Sequence, residues 1–428
     1  CMTNIVLNSG KVIKVNIFET IILGIILFIS LSAGTQWGYA YRGNVIKLLG
    51  ICCLIGLIVK NRINLYIETK FCLFIAIYIF VSSFFSIDSY ATRQWSIYYA
   101  SMLLVVVYGF APQFWNKYRN ICFFWAVFIA ATVLLSAFST NLFLCLFGWL
   151  LGPGGSGSAS FLKRASLGQY AGGAAEIAEA AVICNYGIAV CYAKIFSGKV
   201  IKSKDIFAMV ILFLGLILTT KRTLFLISIL LIPFLILFTQ KNISKKIKWI
   251  SLFIIFGTIL FILMVNVPQL SKILERFAET DNYSDMGGRA VLWQISKEMF
   301  ANSKLFGQGY GSYNTYAYDW GFRFMGQKWV SNGHNIYLQL LGEMGILGFI
   351  IIIGSLVLIF IKTLIGLKSS DEVEDKESLI FCVYIQIMFF IYGITGNVLL
   401  YPQQVMMWVI AIAYSLSILN KRNRRAIR

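Results

Sequence analysis

The chain reads as an all-α, polytopic integral membrane protein with about twelve transmembrane helices and a large outer loop between spans nine and ten. Three observations predict this. Of 428 residues, 59% are hydrophobic and only 13% charged, with mean hydropathy +0.77. A soluble fold averages about 25% charged residues, and a share this low cannot cover a water-facing surface. Many apolar runs approach the ~20 residues a spanning helix requires, and the ten-residue in–out alternation of a membrane barrel is absent. The basic residues, net charge +19, sit in short clusters between apolar runs. That pattern fits anionic inner-leaflet lipid and argues against a nucleic-acid partner.

Spans are expected near 17–34, 44–59, 71–87, 95–112, 121–137, 171–193, 206–220, 223–239, 249–267, 336–361, 378–395 and 404–420. The first run lacks a small-residue cleavage site and reads as a retained span, not a signal peptide. An even count puts both termini on one side. On that side fall Lys11, Lys14, Lys60, Arg62, Lys70, Lys117, Arg119 and the clusters 194–204, 241–248, 362–376 and 421–428. Together they hold 23 of the 37 Lys and Arg residues in short loops. The positive-inside rule makes that side cytoplasmic. Two outer segments are too long for turns. Residues 138–170 include a flexible Gly/Ser stretch at 152–158, and 268–335 is aromatic-rich with a helix-like stretch at 290–300. Structureless loops this long are uncommon unless functional. The expected organisation is spans one to nine in 1–267, an outer cap in 268–335, and spans ten to twelve with a basic tail in 336–428. No repeat of solenoid length is present.

Cations on the outer face run against the bias. Lys221 and Arg222 lie in a tight hairpin, Lys163 and Arg164 precede a span, and Arg289 follows Gly287 and Gly288. An anion site is one reading, since guanidinium binds phosphate oxygens in bidentate fashion. Snorkelling side chains and solvated loop charges are the other.

His334 is the only histidine. It precedes a helix for which Ser331 or Asn332 is the expected cap, and a helix N-terminus disfavours imidazolium. A neutral imidazole suits a general base; an interfacial hydrogen-bonding histidine is the alternative. One histidine without clustered cysteines argues against a zinc site, and no cofactor is expected. Glu176 and Glu179 share a helix face, and Glu343 lies about two turns below His334. Each is open to pairing with an arginine or to a structural hydrogen bond. Asp319 is the loop carboxylate nearest His334 in sequence, with a solvated charge as its bland reading. Tyr310, Tyr313, Tyr316, Tyr318, Trp320, Phe322, Phe324 and Trp329 suit sugar stacking or interfacial anchoring alike. The nine cysteines lie mostly inside apolar runs and read as buried free thiols.

Three motifs in order, Gly288-Arg289-Ala290-Val291-Leu292-Trp293, Phe306 to Tyr313, and His334-Asn335-Ile336-Tyr337-Leu338-Gln339 continuing to Gly348, resemble the O-antigen ligase/polymerase superfamily. The resemblance implies a glycosyltransferase on the outer face of the bacterial cytoplasmic membrane. Its donor would be a glycan on undecaprenyl diphosphate, and its acceptor a glycan or a lipid. It implies His334 as catalytic base; from their positions in the sequence, Asn335, Glu343 and Asp319 are candidates to support it. Arg289 would contact the diphosphate and Arg222 would match the family's arginine in the hairpin before the cap, with neighbouring Lys221 a further diphosphate candidate by its place in that hairpin. Arg164 resembles the family's earlier outer-loop arginine less closely, because Gln169-Tyr170-Ala171 stands where many members carry an Asn-Pro-Asn-like element; that touches Gln169 as well. A polymerase joining oligosaccharide repeats is the leading expectation, and a ligase transferring finished glycan to lipid A core or another acceptor is the alternative. A flippase for the same lipid-linked glycan fits less well, since charges collect at helix ends and not at the midplane.

Overall fold

A computed structural model describes residues 2–6, 12–32, 36–60, 66–152, 156–240, 242–278, 289–321 and 332–426. It opens on a two-stranded antiparallel hairpin, β1 (Met2–Val6) and β2 (Val12–Asn16), a small addition to the expected all-helical class. Seventeen helices follow among the described residues: α1 (Ile17–Leu27, continued by a π turn), α2 (Gln36–Lys60), α3 (Ile67–Ser82), α4 (Ser89–Tyr108), α5 (Pro112–Phe138), α6 (Thr140–Phe147), α7 (Ser156–Ala165), α8 (Ile177–Ser197), α9 (Ser203–Leu218), α10 (Arg222–Thr239), α11 (Ile243–Asn266), α12 (Pro268–Ala278), α13 (Arg289–Asn302), α14 (Tyr313–Asp319), α15 (Ile336–Lys368), α16 (Val373–Tyr392) and α17 (Pro402–Ala426).

Each expected span coincides with one helix. Seven of these are long and apolar enough to cross a bilayer by length and composition alone: α2, α5, α8, α10, α11, α15 and α17. The other five, α1, α3, α4, α9 and α16, are shorter or carry more polar residues and pack into the same bundle. In the segment 138–170, α6 and α7 occupy most of the length, and Ser156 to Ser158, part of the stretch expected to be flexible, begin a helix. Of the aromatics expected in the outer cap, Phe322, Phe324 and Trp329 lie outside the described residues, as do Gly287 and Gly288.

The bundle centre is α8, α16 and α17, which are almost wholly buried, while α11 leaves nearly all its side chains exposed. Small residues permit the close approach. A Cβ on Gly187 would stand 2.6 Å from Leu212 Cδ2. Buried Asn185 donates to Leu224 O and accepts from the Tyr384 hydroxyl at 2.7 Å, tying α8 to α10 and α16 without leaving its amide unpaired.

The two ends of the bundle differ in charge. At one end basic residues meet carboxylates: Arg119 and Lys199 on Glu377 (3.1 and 2.9 Å), Lys194 on Asp205 (2.7 Å), Lys421 on Asp375 (3.1 Å) and Lys362 on Glu68. These are residues of the clusters read from the sequence as cytoplasmic. The hairpin between α9 and α10, the start of α15 and the hairpin between α16 and α17 lie at the opposite end.

There α15 is broken. Gly345 has φ 61 and ψ −172, so the helix cannot close its own hydrogen bonds across residues 342–347. The segment 304–309 satisfies them: Gln308 N–H donates to Gly342 O, Gly309 N–H to Glu343 O, and Ile346 and Leu347 donate to Lys304 and Leu305. Such a fit needs glycine at both surfaces. A Cβ on Gly307 (φ 74) would stand 2.3 Å from Glu343 C, and one on Gly345 2.4 Å from Leu305 C.

Candidate functional site

The α9–α10 hairpin turns within Thr219 to Lys221. Thr220 takes φ 56, one of two non-glycine residues with positive φ among the described residues. The other is His334, φ 48, on the short segment entering α15. Such backbone is disfavoured for residues with a Cβ and persists only where surrounding structure enforces it. Both residues line the same cavity of ≈ 210 Å³.

His334 is held from both sides. Gly333 N–H donates to Gln339 Oε1 at 2.9 Å. Asn335 caps α15, its Oδ1 accepting from Tyr337 and Leu338 N–H at 3.0 and 3.1 Å. That corrects the expectation of a cap at Ser331 or Asn332: Ser331 lies outside the described residues, and the extended backbone of Asn335 places its own side chain over the first turn. Ile336 N–H donates to Gly393 O and the Tyr337 hydroxyl to Phe390 O, so the end of α16 fixes the histidine's segment.

The cavity collects Lys221 and Arg222 from the hairpin, Arg289 from the first turn of α13, and His334. Glu176, Glu179, Tyr392, Thr395, Asn397, Tyr401 and Gln404 complete its polar wall. The His334 imidazole is pushed down to about 4, first by burial and then by the charges of Arg289 and Lys221. Neutrality was expected from the helix end; burial and two cations are what enforce it. Burial and the adjacent Arg222 likewise lower Arg289 against a small opposing effect of Tyr392. No carboxylate among the described residues pairs with Arg289. Several like charges brought together around a neutral imidazole form a ready-made anion site.

Other sequence candidates stand elsewhere. Arg164 does not line the cavity but approaches Glu176, which does, at 3.9 Å. Its backbone carbonyl accepts from Gln169 N–H, and Tyr170 N–H donates to Leu218 O, docking this loop on the α9–α10 hairpin. Glu343 pairs with no arginine among the described residues. Its carboxylate accepts from Gly311 N–H (2.9 Å), Tyr313 N–H (3.2 Å) and Gln339 Nε2 (2.9 Å), so it organises the glycine-rich loop and the start of α14. Through Gln339 it reaches Gly333, next to His334. Asp319 ends α14 on the exposed surface, outside the cavity wall. Glu176 precedes α8 in extended backbone instead of sharing its helical face, while Glu179 accepts from Gln404 Nε2 at 3.0 Å.

Sequence reasoning passed over the wall from Tyr392 to Gln404. The signal was present: the polar break Thr395-Gly396-Asn397 and Tyr401-Pro402-Gln403-Gln404 between the last two apolar runs is an outer hairpin like that at Lys221. Thr395 joins the two, its hydroxyl bonding Thr223 at 3.0 Å.

Residues 207–353 match the family model described as O-Antigen ligase. The matched segment includes Lys221, Arg222, Arg289 and His334. No curated protein matches the chain.

Proposed function

Starting from a multi-pass membrane protein whose residues 207–353 belong to the O-antigen ligase/polymerase superfamily, we propose that the chain polymerises oligosaccharide repeats carried on undecaprenyl diphosphate. The observation that carries this reading is the convergence of Lys221, Arg222 and Arg289 around His334 at the end of the bundle opposite the basic clusters. That end is the outer face of the bacterial cytoplasmic membrane, with both termini inside, by the distribution of lysine and arginine.

The acceptor hydroxyl attacks the anomeric carbon of the donor sugar and passes its proton to the His334 imidazole. The bond from that carbon to the diphosphate oxygen breaks, and the lipid diphosphate departs with the electron pair. The three cations stabilise charge accumulating on the leaving group. Burial, Arg289 and Lys221 hold His334 neutral in the absence of substrate, and a bound diphosphate offsets the charge of the cations, making the imidazole more basic when the proton must move. A single displacement inverts the anomeric centre, and no step calls for a metal or other cofactor.

Transfer of finished glycan to lipid A core or another acceptor is the second reading, favoured by the family description O-Antigen ligase. Both readings share the donor site. The test is glycan analysis of a deletion strain complemented with wild type, Arg222→Ala or Arg289→Ala. Surface glycan of single-repeat length in the deletion strain and both variants supports the polymerase. Long glycan accumulating on the lipid carrier means ligase. Full complementation by either alanine variant removes that arginine from the mechanism.

A further inference from the structure

We propose that a second cavity, between α2, α4 and the first turn of α17, binds a phosphate- or diphosphate-bearing glycan and serves as the acceptor seat; this role rests on the first cavity's being the donor site. The cavity measures ≈ 520 Å³, and Arg42, Lys47, Gln94, Trp95, Tyr98 and Pro402 line it.

Its cations are out of place for a simple span. Arg42 and Lys47 fall inside the apolar stretch Tyr41–Val59 near the outer end of α2. Ionisable residues there are costly and oppose the positive-inside bias. No carboxylate among the described residues pairs with Lys47. A phosphate between the two would repay their burial with charge-assisted bonds.

The walls are rigid. α2 and α4 run parallel in close approach, since a Cβ on Gly43 would stand 2.4 Å from Tyr98 Oη, on Gly50 2.4 Å from Ser101 Oγ, and on Gly56 2.6 Å from Tyr108 Cε2. Trp95 and Tyr98 meet edge to face at 5.8 Å, and Gln94 donates to the Tyr90 hydroxyl at 2.6 Å. Aromatic faces beside amide and phenol groups match the apolar and hydroxyl surfaces of a sugar ring. Behind the cavity Trp95 packs against Gly311 and Tyr310, in the loop that Glu343 organises.

The two cavities share one wall. Tyr401 and Gln404 face the first, and Pro402 faces the second. Arg42 donates to Gln403 Oε1 at 3.5 Å, and Gln404 donates to Glu179 Oε1 at 3.0 Å, so a single helical turn separates them. A transferase joining two glycans needs two such seats side by side.

The test is equilibrium binding of tritiated geranylgeranyl diphosphate to the full-length protein in phosphatidylcholine nanodiscs. Wild type should bind two molecules per chain. Lys47→Gln, and more strongly Arg42→Gln/Lys47→Gln, should weaken one class at least tenfold while Arg222→Ala weakens the other. Lys47→Arg should keep both classes, which guards against loss through misfolding. Two intact classes in the double variant, or a single wild-type class lost only in Arg222→Ala, overturn the proposal. If the double variant loses a class that Arg222→Ala does not touch, and Arg222→Ala loses none, the second site stands and the donor reading fails. In phosphatidylglycerol nanodiscs the second class should persist; its disappearance there would make the cavity a lipid-headgroup seat and refute the acceptor role.

Discussion

Because His334 is the only histidine in the chain, its ionisation can be followed as a single resonance in protein produced without a histidine tag and labelled at histidine ring carbon. Its pKa, pushed down to about 4 by burial, Arg289 and Lys221, compares with ~6.5 for an unperturbed imidazole. At pH 7 the neutral form should exceed the cation about a thousandfold. Arg289→Ala and Lys221→Ala should each raise the titration part way towards ~6.5 and no further, since burial is the largest cause and remains. Added diphosphate should raise it in wild type for the same electrostatic reason. Between ~6.5 and about 4 the unfolded chain binds a proton that the folded chain does not. The contribution of neutral His334 is therefore complete above ~6.5 and is lost as pH falls through that window, with a slope of at most about 1.4 kcal/mol per pH unit. The kcat/KM, which reports the free enzyme, should stay level down to about pH 5 and fall below it as His334 takes up a proton. A wild-type resonance titrating near 6.5, or one unmoved by both substitutions, would refute the electrostatic account of the site.

Glu343→Ala should destabilise the protein by on the order of 3 kcal/mol or more, because three donors lose their acceptor at once; Glu343→Gln should retain part of this, and thermal unfolding in detergent decides, with equal melting of Ala and wild type counting against the clasp. Gly309→Ala should abolish stable expression, and adding Ser86→Ala should not rescue it, since Ser86 Cβ itself lies 2.3 Å from the added methyl. For topology, cysteine at exposed Ala301, in a Cys145→Ser background because Cys145 is itself exposed, should react with an impermeant thiol reagent in intact cells. Labelling only after lysis would place the site on the wrong face.

The helices were legible because each is decided locally. Runs such as Leu224 to Phe238 or Ile346 to Phe360 have no stable place but the bilayer, and a bilayer forces the backbone to satisfy itself within each segment. The cations of the candidate site were legible for a related reason: Lys221, Arg222 and Arg289 run against the charge bias expected from the positive-inside rule. Glu343 stayed open between an arginine partner and a structural hydrogen bond, because nothing local shows that the chain breaks at Gly345 and that the glycine-rich segment docks into the gap. The cap of α15 moved to Asn335 for the same cause, since backbone extension there depends on Gly393 holding Ile336. Sequence alone determined which residues are apolar enough to span and which charges stand out. Only the tertiary structure decided that the hairpins at Lys221 and Tyr401, the first turn of α13 and His334 share one cavity, and that Arg42 and Lys47 line another beside it. Insertion acts on one segment at a time, whereas the convergence of side chains depends on how helices far apart in sequence pack, which no single segment encodes.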